Sequence, residues 1–355
     1  MKEKSGPAPR ILSIGAAVPP ISVSQDELRE AARVHFSRKL TEVDRLLAVF
    51  DHVEVENRHF CVPLSWLRRS HSFAERNREY QSWAFRLSRE AIVRCLEKAE
   101  VDPLRIDHVV FVSSSGMATP SIDASLINSL NMAPSVHRTP VFGLGCAGGA
   151  AGLARSAEIC RARERTVLLV AVEISSLTFQ EEDFGKSNFV AASLFSDGAA
   201  AALITSCEFG DGPALVDERS WLWPDTLDAM GWNFTDGGLQ VVFSKRIPFM
   251  IQQGFREAVE PLLRRNGVSL SAIRHFVLHP GGGKILKAYQ KCLGIEEGQL
   301  RWSRDVLARF GNMSAPTVLF VLERFLAAAE AESGDWGLCA AFGPGFSSEL
   351  SLLRW

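Results

Sequence analysis

Three short stretches of this chain carry side chains suited to covalent chemistry. Thr139–Gly152 reads TPVFGLGCAGGAAG and sets Cys146 in a tight turn between a short apolar strand and a helix of very small residues. Phe276–Gly283 reads FVLHPGGG and ends an apolar run on His279. Phe310–Pro316 reads FGNMSAP and puts Asn312 in a turn. A helix N-terminus carries about half a positive charge and favours thiolate over thiol, so Cys146 is a candidate nucleophile. Flanking glycines let backbone amides approach a ligand oxygen. A histidine and an amide close to a thiolate would supply the donors that steady a developing oxyanion. Each residue also has a plainer explanation. A free cysteine is most often a small core hydrophobe. A histidine can simply end a strand, as His275 is expected to do, and an asparagine tolerates unusual turn angles.

One rival reading uses the same stretch. Gly143-Leu-Gly145-Cys-Ala-Gly148 fits G-x-G-x-x-G between strand and helix, and Glu173 ends the next strand near where a ribose-binding acid would sit. That reading predicts a dinucleotide site. It leaves His279 and Asn312 without a role.

The elements that must position these residues alternate. Strands are expected at 10–18, Val109–Val112, Val167–Val172 and Ala199–Ile204. A capped helix start is expected at Ser24–Glu27, with helices at Tyr80–Ala99, Ser121–Leu130 and from the Cys146 turn to about Glu164. Alternation of this kind predicts a layered α/β fold. The second half also repeats the first. Arg89–Gly116 and Arg256–Gly283 share nine identities in 28 ungapped positions, among them His108/His275 and Gly116/Gly283. Phe142-Gly143 then pairs with Phe310-Gly311, and Cys146-Ala147 with Ser314-Ala315. We read this as an internal duplication. The halves divide near Cys207–Pro213, as 1–208 bearing the cysteine and 209–355 bearing the histidine and asparagine. Packed about a pseudo-twofold axis, they would turn Cys146 and Asn312–Ser314 toward each other.

Bulk properties narrow the partners. The 355 residues carry a formal net charge of -2, with 46% hydrophobic and 23% charged residues. That balance suits a globular protein and gives no argument for nucleic acid. Apolar runs such as Val167–Val172 are too short to span a bilayer, and Met1–Pro7 lacks a signal-peptide core. Seven cysteines, an odd number without CxxC, read as reduced thiols of a cytoplasmic protein, with no zinc spacing.

Taken together, Gly145-Cys-Ala-Gly-Gly149, Ser196-Asp-Gly-Ala-Ala200, His279-Pro-Gly-Gly282, Gly311-Asn-Met-Ser314 and Phe342-Gly-Pro-Gly345 give the chain a family resemblance. It resembles the type III polyketide synthases, the chalcone synthase family, over nearly its whole length. The Gly-Leu-Gly-Cys-Ala-Gly-Gly run and the C-terminal Leu-Leu-Arg-Trp355 look like the bacterial branch, whose members resemble alkylpyrone and alkylresorcinol synthases. The resemblance implies a thiolase-like duplicated αβαβα layered fold and a homodimer. It implies loading of an acyl group from CoA onto Cys146, decarboxylation of malonyl-CoA, and condensation repeated until ring closure. CoA thioesters would be substrates, and no metal or other cofactor is implied. His279 would keep the Cys146 thiolate charged at neutral pH and, with Asn312, stabilise the enolate.

Further positions follow from the same resemblance. Phe195 matches a gatekeeper between a CoA tunnel and a reaction cavity, although a core aromatic explains it as well. A second gatekeeper position holds Val241, whose smaller side chain is expected to open an apolar tunnel. Trp232 falls near a cavity-floor glycine of plant members, so its bulk would shrink or redirect the cavity. Ser115, Ser175, Thr178 and Ser314 match polar cavity positions. Among the N-terminal basic residues that hold CoA phosphates in plant members, only Arg45 aligns, with Ala48 and His52 at the others. Lys284 matches another basic contact. The position of a family methionine that reaches across the dimer is Thr119. The expected substrate is a medium- or long-chain fatty acyl-CoA extended two or three times by malonyl-CoA. Two alternatives remain beside the dinucleotide enzyme: a single-condensation enzyme like ketoacyl-ACP synthase III, and a non-catalytic duplicated scaffold.

Overall fold

The computed structural model describes residues 8–162, 165–207 and 212–355. The expected helix end at Glu164 and the 208/209 division therefore lie outside the described residues. Nine strands form one mixed sheet. Their order is Ile273–Leu278, Trp336–Gly343, Ser347–Arg354, Ala214–Leu222, Arg10–Ala17, Asp197–Thr205, Thr166–Ile174, His108–Val112 and His137–Val141. Strands of the later residues lie on one side, strands of the earlier residues on the other. The junction is narrow: Arg10 pairs with Ala214, and the Ile11 and Leu215 amides donate to Pro213 and Pro9 carbonyls.

Alternating side chains then build three apolar interfaces, because successive residues of a strand face opposite ways. Val110, Val112, Leu169, Ala171, Ala200 and Ala202 face inward with Val277, Cys339, Ala341 and Leu353. Between them lie two helices, Gly148–Ala162 and Thr317–Ala328, through Leu153, Ala157, Val318 and Leu322. The opposite faces, through Val109, Phe111, Leu168 and Val170, take the long helix Phe73–Ala99. On the other half, Phe276, Leu338 and Leu350 take Ile247–Arg265 and Gly283–Leu293. The layers run helix, sheet, helix, sheet, helix. Strands buried on both faces explain the near-continuous apolar runs at 166–174 and 197–205.

Small residues set the layer spacing. A Cβ on Gly15 would lie 2.2 Å from the Ala91 carbonyl oxygen of the long helix. A Cβ on Gly149 would lie 2.2 Å from the Ala315 carbonyl oxygen, so the two central helices meet only because position 149 has no side chain.

The expected elements are present, most of them slightly longer than read. The long helix starts at Phe73, about two turns before Tyr80, because Ser72 and Glu75 form a capping box. The expected box at Ser24 and Glu27 is also formed. The repeat holds for the core helices and inner strands and departs at the sheet edge, among other places. Where the first half has the edge strand His137–Val141, the second has the helix Arg301–Phe310. No helix among the described residues is long and apolar enough to cross a membrane.

Candidate active site

The Cys146 turn is held from below by a serine. Gly143 and Gly145 have φ of 91° and 47°, a region that favours glycine, and both amides donate to Ser114 Oγ at 3.2 and 3.3 Å. Cys146 is in the single turn that leads into Gly148–Ala162. Opposite it, Asn312 bridges to Phe195: Asn312 N donates to Leu194 O and Ser196 N to Asn312 O, both at 2.9 Å. Asn312 Oδ1 accepts from Ser314 N at 2.8 Å, which leaves Nδ2 as the donor end for a ligand. Cys146 Sγ lies 4.0 Å from Asn312 Oδ1. Ser314 also bonds to the thiol and holds φ of 61°. The two turns, 166 positions apart, do face each other, as the duplication predicted.

His279 follows the strand Ile273–Leu278, its amide donating to Ala340 O at 2.9 Å. Cys146, His279 and Asn312 line one cavity of about 350 Å³, with Phe342 and Leu194 among its apolar walls. His275 is the plain histidine of the pair, with Nε2 2.8 Å from Asp335 Oδ2.

Charge at the site differs from the sequence expectation. Burial pushes the Cys146 thiol up to about 11, against the smaller lowering by Ser314 and Asn312. Burial alone takes His279 down to about 3, and neither ring nitrogen has a hydrogen-bond partner. Burial of each group thus opposes the expected thiolate–imidazolium pair and favours a neutral thiol and a neutral imidazole. The cost of desolvating two charges exceeds what the helix terminus returns.

The other expected positions divide among three places. Phe195, Val241, Ser175 and Thr178 line a second cavity of about 80 Å³, otherwise walled largely by Leu28, Phe36, Phe60 and Leu67. The helix Lys186–Leu194 separates it from the first: Val190 and Leu194 face one cavity, Ala191 and Ala192 the other. Ser115 lies outside both, accepting from Ile174 N at 2.8 Å and lining a small crevice with Thr178. Ser314 stays buried beside the thiol. Trp232 packs on Phe195 at 6.0 Å between ring centres and lines neither cavity. Val241 is buried with Phe195, and Trp232 and Phe243 pack against the pair.

Lys284 lines the rim of the larger cavity, but Arg45 is exposed and 3.8 Å from Glu42, outside the cavity. Lys186 and Lys245, which the sequence reading missed, join Lys284 at the rim, and all three are exposed. They come from separate elements, so no local pattern marks them as a cluster.

Glu173 removes the dinucleotide reading. It is buried and both its oxygens accept from Ser114 N, at 3.1 and 3.0 Å, so it cannot reach a ribose. Burial raises it to about 7.

Comparison with known proteins identifies the class. Residues 1–208 match the N-terminal domain of chalcone and stilbene synthases, and residues 215–355 the C-terminal domain. The chain belongs to this family and is a type III polyketide synthase with a thiolase-like fold, a malonyl-CoA-dependent acyltransferase. It is 41% identical to a putative chalcone synthase of Bacillus subtilis (strain 168), over 97% of this chain and 98% of that one. It is 33% identical to a 1,3,6,8-tetrahydroxynaphthalene synthase of Streptomyces peucetius subsp. caesius, over 97% and 93%. The crystal structure of 1,3,6,8-tetrahydroxynaphthalene synthase from Streptomyces coelicolor A3(2) superposes with a TM-score of 0.94 at 30% identity, covering 98% of this chain and 99% of that one.

Proposed function

We propose that this synthase loads a medium- or long-chain fatty acyl group onto Cys146, extends it two or three times with malonyl-CoA, and cyclises the product to an alkylpyrone or alkylresorcinol. The observation that carries the reading is the arrangement of two cavities on either side of the helix Lys186–Leu194, with Phe195 in the wall of the second. One holds Cys146, His279 and Asn312 below a rim of lysines. The other is largely apolar.

Burial, which favours a neutral thiol and imidazole, sets the first step. As acyl-CoA enters, His279 accepts the Cys146 proton while the sulfur attacks the thioester carbonyl. The same proton then passes to the departing CoA sulfur, so no lone charge is left in the dry cavity. Malonyl-CoA next loses CO2, and negative charge gathers on its thioester oxygen. Asn312 Nδ2 and the His279 N–H donate to that oxygen. The enolate carbon attacks the acyl group on Cys146 and expels the sulfur, leaving a β-ketoacyl-CoA two carbons longer.

The CoA phosphates meet Lys284, Lys186 and Lys245. The division into a cysteine-bearing half, 1–208, and a half bearing His279 and Asn312, 209–355, belongs to the same reading. So do a cytoplasmic location and a homodimer. The dimer is supported by the edge strand His137–Val141, paired on one side only, and by exposed Phe142 and Met117 near it.

The test is mass spectrometry of products from purified protein given malonyl-CoA with acyl-CoAs of graded length, beside Cys146→Ala. Alkylpyrones or alkylresorcinols from long starters, absent in the variant, are expected. A ring product from malonyl-CoA alone would replace the fatty acyl starter, and a single β-ketoacyl product would replace repeated extension.

A further inference from the structure

Beside the lysine rim of the first cavity, large apolar side chains stand in solvent. Leu227 is 83% exposed and lies in the loop between the strands Ala214–Leu222 and Met230–Thr235. Phe249 is 64% exposed, in the first turn of the helix Ile247–Arg265. Leu222, where the same loop begins, is 62% exposed. Three of the eight large apolar side chains exposed among the described residues thus fall on one loop and one helix start, so they are not scattered. Both segments border the cavity, since Met230 and Pro248 line it. They are also tied together. Ser244 N donates to Ala229 O at 2.8 Å, and Arg246 pairs with Asp228 at 2.6 Å. Residues three apart on a helix share a face, so Phe249 stands beside Arg246, which holds the residue next to Leu227.

The charge around these side chains is positive. Lys186, Lys245 and Lys284 are exposed and make no ion pair among the described residues. Asp228 is neutralised by Arg246, and Glu54, beside the cavity wall at Gly283, by Arg304. Asp225 is the loop's one acid without an ion pair. A leucine and a phenylalanine beside a cluster of lysines match the interfacial layer of an anionic bilayer, where apolar side chains dip among the headgroups and cations meet the surface charge. Each lysine near such a surface strengthens binding about fivefold. The field reaches about 8 Å at physiological salt, so the lysines need no direct lipid contact and stay available to CoA phosphates. Single apolar side chains on a loop and a helix start suit a fluid headgroup layer, which yields to any spacing, better than a protein partner, which must match it.

We propose that the mouth of the first cavity is a peripheral membrane-binding face. Leu227 and Phe249 dip into an anionic bilayer, with Lys186, Lys245 and Lys284 over its headgroups. The acyl starter then enters, and the amphiphilic product leaves, at the bilayer surface. That use of the face rests on the fatty acyl reading above; the binding does not.

The test is flotation of purified protein with vesicles of phosphatidylglycerol and phosphatidylcholine in equal parts, beside vesicles of phosphatidylcholine alone. At low salt, wild type is expected to bind the anionic vesicles at least about tenfold more tightly, and the difference should close at about 1 M salt, where screening leaves a reach of about 3 Å. The double variant Leu227→Glu, Phe249→Glu is expected to bind them at least about tenfold more weakly than wild type, with a Tm within about 2 °C because both side chains are exposed. Equal binding of the two vesicle types by wild type, or equal binding by variant and wild type, overturns the proposal. So does a wild type that ignores vesicles and binds an acidic acyl carrier protein through Leu227 and Phe249, which would give the face to a protein. Flotation is read without substrate. Vesicle binding without product from long acyl-CoAs therefore strikes the fatty acyl starter and leaves the face standing, whereas long-chain product without vesicle binding overturns the face alone.

Discussion

Burial of Cys146 favours a protonated thiol in the free enzyme. With its thiol at about 11, roughly one molecule in ten thousand carries thiolate at pH 7. Alkylation of Cys146 by iodoacetamide in the free enzyme is therefore expected to be slow and to rise about tenfold per pH unit from 7 to 10. The sign follows from burial: the thiol loses its proton only as pH climbs toward the raised value. A rate that levels off below pH 8 would show instead that His279 already carries the proton. His279, held near 3, gains no charge in this range, so no second inflection near pH 6.5 is expected. At this scale the residue types were legible and their protonation was not. A helix terminus and a nearby imidazole are visible in GLGCAGG and LHPGGG, but the desolvation that outweighs them depends on everything packed around.

Among the elements, the two central helices control catalytic distance. Gly148–Ala162 carries Cys146 at its start, and Thr317–Ala328 follows the turn of Asn312. Their contact at Gly149 and Ala315 leaves no room for a methyl group: the nearest atoms are the Ala315 oxygen at 2.2 Å and Val318 Cγ1 at 2.8 Å. Gly149→Ala is expected to cost about 1–3 kcal/mol in urea unfolding and to lower malonyl-CoA decarboxylation by more than that loss of folded protein explains, since Cys146 and Asn312 are pushed apart. Full activity in the folded fraction would show that the helices adjust elsewhere. The glycine run was readable as a small-residue helix, and the repeat pointed to its partner turn. The edge of the repeat was not readable. The second half places Arg301–Phe310 as a helix where the first has a strand, and its amphipathic spacing meets a core that only the assembled layers provide.

For the molecule as a whole, charge and symmetry bear on substrates and assembly. Lys186, Lys245 and Lys284 converge on the cavity rim although the protein is nearly neutral. Lys284→Glu is expected to raise KM for acyl-CoA several-fold, an effect that shrinks in high salt, because one exposed charge contact contributes about 0.2–1 kcal/mol and its reversal adds repulsion. Arg45→Glu serves as the contrast and is expected to leave KM within twofold. Equal effects from the two would return Arg45 to the CoA site. Assembly is tested at the open edge of the sheet. Phe142 is 51% exposed beside His137–Val141. Wild type is expected to sediment as a dimer and Phe142→Glu as a monomer, and identical sedimentation of the two would overturn an interface at this edge.

The sequence by itself determined the layered α/β architecture, the duplication, and the three reactive side chains. Apolar runs buried on both faces, capping boxes at Ser24 and Ser72, and glycine-rich turns are local signals, written within a few residues of the structure they produce. Tertiary structure alone decided what surrounds those side chains once gathered: burial that opposes charge on the thiol and the imidazole, lysines from separate elements on one rim, Arg45 on an exposed surface, and Glu173 sealed under Ser114. These depend on burial and on distances between residues far apart in the chain, such as the 4.0 Å from Cys146 to Asn312. A linear pattern holds no term for the water that folding removes from around a charge.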